Sequence, residues 1–172
     1  ESPINVELVS TGSGARADIV FVFDVTGSMG GEISGLKAKA SAFADALASR
    51  GIDYRLGLVS YGDEIRSSND FTDNITTFKT WIDGLSASGG GDTKENSLEG
   101  LAKATTLSFR TISQRIAILI TDADYHEAGE SGGGPTSYTT ESLTSLLNSL
   151  HILTHVLEPH QSQYQSMAEE TD

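Results

Sequence analysis

Two stretches built on apolar runs, each closing on an aspartate, constrain this chain more than any other feature: "ADIVFVFD" (Ala17 to Asp24) and "RIAILITD" (Arg115 to Asp122). A strand with one wet face alternates apolar and polar residues, whereas a strand covered on both faces reads as a continuous β-branched and aromatic run. Val20 to Phe23 and the segment Arg115 to Ala123 are therefore expected to be central strands of a parallel sheet. From Ile33 to Leu47 the apolar positions Ile33, Leu36, Ala40, Phe43, Ala44 and Leu47 recur at helical spacing, and "SRG" (Ser49 to Gly51) supplies a stop. "YRLGLVSY" (Tyr54 to Tyr61) reads as a further strand and the polar stretch "GDEIRSSNDF" as a short edge strand. "NITTFKTWIDGL" (Asn74 to Leu85) reads as a helix with Ile75, Phe78, Ile82 and Leu85 inward. "DTKENSLEGLAKATTL" (Asp92 to Leu107) and "TESLTSLLNSL" (Thr140 to Leu150) give two more helices, and "ILTHVLE" (Ile152 to Glu158) another strand. Such alternation predicts right-handed crossovers and a doubly wound α/β fold: a mostly parallel central sheet with helices on both faces.

Length and charge narrow the function. A chain of 172 residues fits one domain, and at this size folding hides roughly 70% of the unfolded surface. The expectation is a single domain over residues 1–172, with 1–16 as an N-terminal extension. Lys and Arg total 11 against 24 Asp and Glu, a formal charge of -13, which repels phosphate backbones and anionic lipid heads and concentrates cations. Nucleic acid is not an expected partner. No apolar run reaches the roughly 18 residues of a membrane span, so membrane insertion is not expected either. Cysteine is absent, which excludes thiol catalysis, disulfides and thiolate zinc sites but fits reducing and oxidising compartments alike. The chain opens at Glu1 without a Met or a signal-like segment, and is expected to be a piece of a larger multidomain protein.

The chemistry gathers where the strands end. In an open α/β sheet, ligands bind outside the carboxyl ends of the strands, where strand order reverses. Asp24, Thr26 and Ser28 alternate in the turning loop "DVTGSMGG" and can aim three oxygens at one point; Asp122 ends the other buried run, and the acidic turn "GGGDTKE" (Gly89 to Glu95) opens the third predicted helix. If the two buried runs are neighbours, three loops bring oxygen ligands to one crevice. A hard cation suits them: Mg2+ takes oxygen ligands in octahedral geometry and keeps several waters, whereas zinc prefers the His and Cys absent from this motif. Two hydroxyl ligands cancel none of the metal's charge and leave it electrophilic towards an incoming carboxylate.

"DVTGSM" resembles the start of the metal ion-dependent adhesion site, D-x-[ST]-x-S, of the von Willebrand factor A family, and Thr121-Asp122 resembles that family's third-loop "TD". "GGGDTKENSLEGL" is similar to the branch with a G-G-G-D-x-P-E loop, as at the integrin β site. The resemblance extends over nearly the whole chain. It implies metal ligation by Asp24, Thr26, Ser28, Asp122 and, by the branch analogy, Glu95; the other branch uses a Thr in the second loop, so Asp92 and Thr93 are rivals. Lys94 stands where the branch usually has Pro. At positions 30 to 32 only Glu32 matches the acidic residues of the adjacent integrin calcium site, which is not expected here. Family members run on into a last strand and helix; here the last strand is expected to have been trimmed, or its edge to be covered by "INVELVS" (Ile4 to Ser10).

Local structure offers competing roles for the same residues. Ser28 can cap the first helix and Thr26 can satisfy a turn; Asp92-x-x-Glu95 has the form of a capping box, with Asp92 at the Ncap and Glu95 at N3. Asp122 follows an apolar run and would be costly to bury without a partner. "DADYHE" begins like a calcium loop but lacks the Gly at its sixth position. His126 is expected at the surface or on the lip of the site; His151 and His155 are expected to be structural.

Enzyme signatures are missing. "TGSMGG" has neither the dinucleotide nor the P-loop pattern, Thr26 stands where a haloacid-dehalogenase-like phosphatase needs a second Asp, and the one G-x-S-x-G spacing, Gly129 to Gly133, falls in a loop too Gly-rich for the strand-to-helix turn that a hydrolase nucleophile needs. The reading is a non-catalytic, divalent-cation-dependent module for protein binding or adhesion, with Mg2+ (or Mn2+ or Ca2+) whose coordination is completed by an Asp or Glu of a protein ligand. The loop from Asp124 to Tyr138 would set specificity. An acidic domain gains nothing from long-range attraction to an acidic partner, so salt should help binding modestly. An extracellular or cell-surface setting is expected; the alternative is a cytoplasmic scaffold beside an AAA+ ATPase or chelatase-type assembly.

Overall fold

The computed structural model describes residues 16–31, 33–91, 94–130, 136–157 and 164–171. Among these residues the central sheet has five strands in the order β3-β2-β1-β5-β7, where β1 is Arg16–Asp24, β2 Asp53–Tyr61, β3 Ile65–Thr72, β5 Gln114–Ile120 and β7 Ile152–Leu157. All neighbours are parallel except β3, which runs antiparallel to β2 along one edge. The helices are α1 (Ile33–Ser49), α2 (Ile75–Asp83), α3 (Ser97–Thr105), α4 (Thr140–Ser149) and α5 (Gln165–Glu170); a two-residue pair, β4 (Lys94–Glu95) with β6 (Asp124–Tyr125), lies apart from the main sheet.

The continuous apolar runs do what their composition predicts. Ile19, Phe21 and Phe23 of β1 face one layer, with Ala40 and Ala44 of α1 and Phe78 and Ile82 of α2. Val20 and Val22 face the other, with Leu98 and Leu101 of α3, Leu143 and Leu147 of α4 and Met167 of α5. Alternate residues of one strand thus enter two cores, which is why no polar residue interrupts Ile19 to Phe23. At the edge, β3 is alternately half-buried and exposed, the pattern of a strand with one wet face.

Strand order reverses at β1. Its neighbours are β2 on one side and β5 on the other, with Phe23 opposite Ile120, so the loops that leave β1 and β5 emerge side by side. One expectation fails here. The third helix does not begin at Asp92: Lys94 and Glu95 are extended and paired with Asp124 and Tyr125, and the helix starts at Ser97 after Asn96. Glu95 is therefore not at N3 of a helix, and the capping-box reading falls. Asp92, Thr93, Glu32 and the segment Ile4 to Ser10 lie outside the described residues.

Candidate metal centre

The first loop turns sharply because Asp24 organises it. Asp24 closes β1 with no exposed surface; its Oδ1 accepts from Thr26 N (2.9 Å) and Thr26 Oγ1 (2.7 Å), an Asx turn that folds the chain back over the strand end. Its Oδ2 accepts from Thr121 Oγ1 (2.7 Å), immediately after β5. The Thr26 and Ser28 hydroxyls are 3.1 Å apart, and Ser28 Oγ donates to Asp122 Oδ1 (3.0 Å) across a sequence separation of 94. A continuous chain of oxygens therefore runs from Thr121 through Asp24, Thr26 and Ser28 to Asp122. Its inner end is buried, with Thr26 1% and Thr121 2% exposed; Asp122 is half-buried and Ser28 is open to solvent.

Glycines let the second loop close on the first. Gly27 N donates to Gly89 O (2.8 Å) and Ser88 N to Val25 O (2.9 Å); a Cβ on Gly27 would sit 2.8 Å from that same Gly89 oxygen. Gly90, at φ +96, passes between Thr26 and Glu95: a Cβ there would meet Glu95 Oε1 at 3.1 Å and Thr26 Cβ at 3.5 Å. The Glu95 carboxylate, 3% exposed, thus lies across a bare glycine from the hydroxyl loop. Its backbone is fixed by β4–β6 pairing and by His126 N donating to Glu95 O (3.2 Å).

The electrostatics are those of a site short of positive charge. Burial first, and then repulsion from Asp122, raise the Asp24 carboxyl above its ordinary value, against the opposing hydrogen bonds from Thr26 and Thr121. Among the described residues no group of three or more His, Cys, Asp and Glu side chains gathers as a metal cluster. What gathers is two carboxylates with three hydroxyls, and Glu95 beside them.

Of the predicted site residues, Asp24, Thr26, Ser28 and Asp122 are brought together, Glu95 faces the same loop, and Asp92 lies outside the described residues. His126 departs from expectation: it is 5% exposed rather than at the surface, with Nδ1 3.3 Å from Glu130 Oε2, because pairing of the preceding β6 draws it inward. His155 sits half-buried on β7. Sequence reasoning missed Thr121 as the residue that orients Asp24; the polar Thr directly before Asp122, at the end of an apolar run, was the available signal. It also missed the support beneath the third loop, where Tyr61 bonds Ser97, Ser97 bonds Tyr164, and Tyr164 OH donates to Ala123 O, each at 2.8 Å.

A profile of the von Willebrand factor A domain matches residues 18–131. Over 166 residues the chain is 28% identical to a Dictyostelium discoideum protein named alpha-protein kinase vwkA, an alignment covering 86% of this chain and 27% of that protein. Among solved structures it is similar to the vWF domain of the type V pili tip protein Mfa5 from Porphyromonas gingivalis (TM-score 0.58, 22% identity, 70% of this chain and 43% of the other). It is also similar to proximal thread matrix protein 1 of the mussel byssus (TM-score 0.65, 20% identity, 92% and 39%). At those identities the two structures speak for the fold alone, and the chain spans only about a quarter of its curated relative. Profile, strand order and relatives agree, and the chain belongs to the von Willebrand factor A domain family.

Proposed function

We propose that this domain recognises a protein partner through a divalent cation held at the ends of β1 and β5. Asp24, Thr26, Ser28 and Asp122 would hold the ion, with Glu95 the second-loop contributor among the described residues. The observation that carries the reading is the hydrogen-bonded run of hydroxyls and carboxylates from Asp24 to Asp122, closed by Ser28. Its donors are all hard oxygens, as Mg2+ requires, with Mn2+ or Ca2+ as alternatives. Bound there, the cation would supply an electrophilic position for an acidic side chain of the partner. The protein's own residues do the rest: Thr121 and the Thr26 amide orient Asp24, and the glycine contacts hold the second loop against the first. No role in this reading is catalytic.

Calorimetric titration of Mg2+, Mn2+ and Ca2+ into the protein and its Asp24→Ala variant tests it. Saturable heat from the parent and none from the variant is expected; equal heats from both would remove the metal. Binding of an acidic peptide should strengthen slightly as salt rises, because the net charge of -13 opposes the encounter. An extracellular or surface setting is the one proposed; the pilus and byssus proteins share the fold. The alternative, a cytoplasmic module within a larger assembly, draws on the relative named as a kinase, of which this chain matches 27%.

A further inference from the structure

Beside the oxygen cluster lies a pocket of about 340 Å3 between β3, α2 and the second loop, lined among others by Val25, Arg66, Trp81, Leu85, Ser86 and Ser88. This is at the small end of the ~300–1,000 Å3 range of ligand pockets. It shares a wall with the metal centre: Val25 stands between Asp24 and Thr26, and its carbonyl accepts from Ser88 N (2.9 Å). Apolar side chains meet hydroxyls here under one guanidinium.

That guanidinium is placed with care. Arg66 is exposed on the edge strand, and its head lies over two glycines, since a Cβ on Gly62 or Gly89 would come within 2.7 and 2.8 Å of Nη2. Nη1 donates to Ser88 Oγ (2.9 Å). Arg16, Arg55 and Arg110 all pair with aspartates, and Arg115 donates to backbone carbonyls. Arg66, among the described residues, has only a neutral hydroxyl as acceptor. In a chain with 24 acids to 11 bases, a guanidinium held open next to an acid-binding centre is a complementary feature: its planar fork has donors to spare and fits a carboxylate edge-on.

We propose that the pocket is a second recognition point for an acidic protein segment, with Arg66 taking the carboxylate of one side chain while the metal centre takes that of another. The inference rests on the metal-dependent reading above and narrows its partner: the preferred segment carries two acidic residues, and their separation is set by the distance between the ion and the Arg66 fork. Two local cationic points also offset an overall field that repels such a segment.

Trp81 is the protein's single tryptophan and lines the pocket, so its fluorescence reports occupancy. The probes are capped peptides with one aspartate, and with two acidic residues at increasing separations, titrated with and without Mg2+ into the parent, Arg66→Gln and Arg66→Lys. One separation of two acids should shift Trp81 emission and bind about tenfold tighter than the single-acid peptide, the gain lost in Arg66→Gln and only partly kept in Arg66→Lys, which has charge but no fork. The proposal is overturned if no two-acid peptide moves the emission, or if Arg66→Gln binds such a peptide as tightly as the parent does. Mg2+-dependent binding of the single-acid peptide that Arg66→Gln leaves unchanged, with no gain from a second acid, would sink the pocket and leave the metal centre standing. An Arg66-dependent emission shift whose affinity is the same with and without Mg2+ would sink the metal centre and leave the pocket standing.

Discussion

Asp18 and Asp24 sit on the same strand, both with no exposed surface, yet their carboxyls are displaced in opposite directions. Asp18, near the start of β1, accepts from Arg55 Nε (3.0 Å) and Nη2 (2.8 Å), Arg110 N (2.7 Å) and Nε (2.8 Å), and Ser113 Oγ (3.1 Å). Burial alone would raise it, but the hydrogen bonds from Arg55 and Arg110 and the charge of Arg110 prevail and hold it below its ordinary value. Asp24, at the other end, has hydroxyls and one amide where Asp18 has guanidiniums, and burial prevails. The comparison separates structure from function. One end of the sheet contains its own counter-charge, as a finished ion network does; the other, among the described residues, presents acid oxygens bonded to hydroxyls and an amide rather than to a cation, the arrangement that binding an external cation would complete.

Removing each carboxylate in turn is the sharpest way to break this contrast. Asp18→Asn leaves two part-buried guanidiniums facing a neutral amide and should cost about 3 kcal/mol in urea unfolding. The loss traces to charge, so it should follow pH. A carboxyl held below 3.8 when folded contributes stability that is complete above its unfolded value and disappears as pH falls through the lower folded one. The gap between parent and Asp18→Asn should therefore narrow below that pH; a gap independent of pH would mean that packing, not charge, sets it.

The site end depends on backbone approach instead. Gly27→Ala should cost about 2 kcal/mol, because the new Cβ meets a backbone oxygen that cannot swing away. Asp24→Asn should shift stability by no more than about 1 kcal/mol without metal: the lost charge was already disfavoured, and the Thr121 hydroxyl can reverse to accept from the new amide. Gly31→Ala, with nothing within 4 Å of its Cβ, should stay within about 0.5 kcal/mol. If Asp24→Asn proved as costly as Asp18→Asn, the contrast would be void.

The fold was legible because its signals are local and repeated. "VFVF" could only be a strand covered on both faces, and even the polar edge strand was visible between its neighbours. The gathering of oxygens at the strand ends was legible for the same reason, since Asp24, Thr26 and Ser28 share one turn. What stayed hidden depends on distant contacts. Glu95 looked like a helix residue, because Asp-x-x-Glu before an apolar pattern is a helix-start signal; it is extended because its backbone meets Asp124 and Tyr125, a pairing too short to leave a periodic trace. The partnership of Asp18 with Arg110, at a separation of 92, left no local mark, and Arg66 lay unremarked in a polar stretch.

The central claim is that one cation is shared by loops from β1 and β5. Crystals grown with Mn2+ and measured at its absorption edge would test it most directly. A single anomalous peak bounded by Asp24, Ser28 and Asp122, absent from Asp24→Ala crystals, is the predicted result. Bound manganese elsewhere on the acidic surface, with those three side chains unoccupied in well-ordered density, would contradict it.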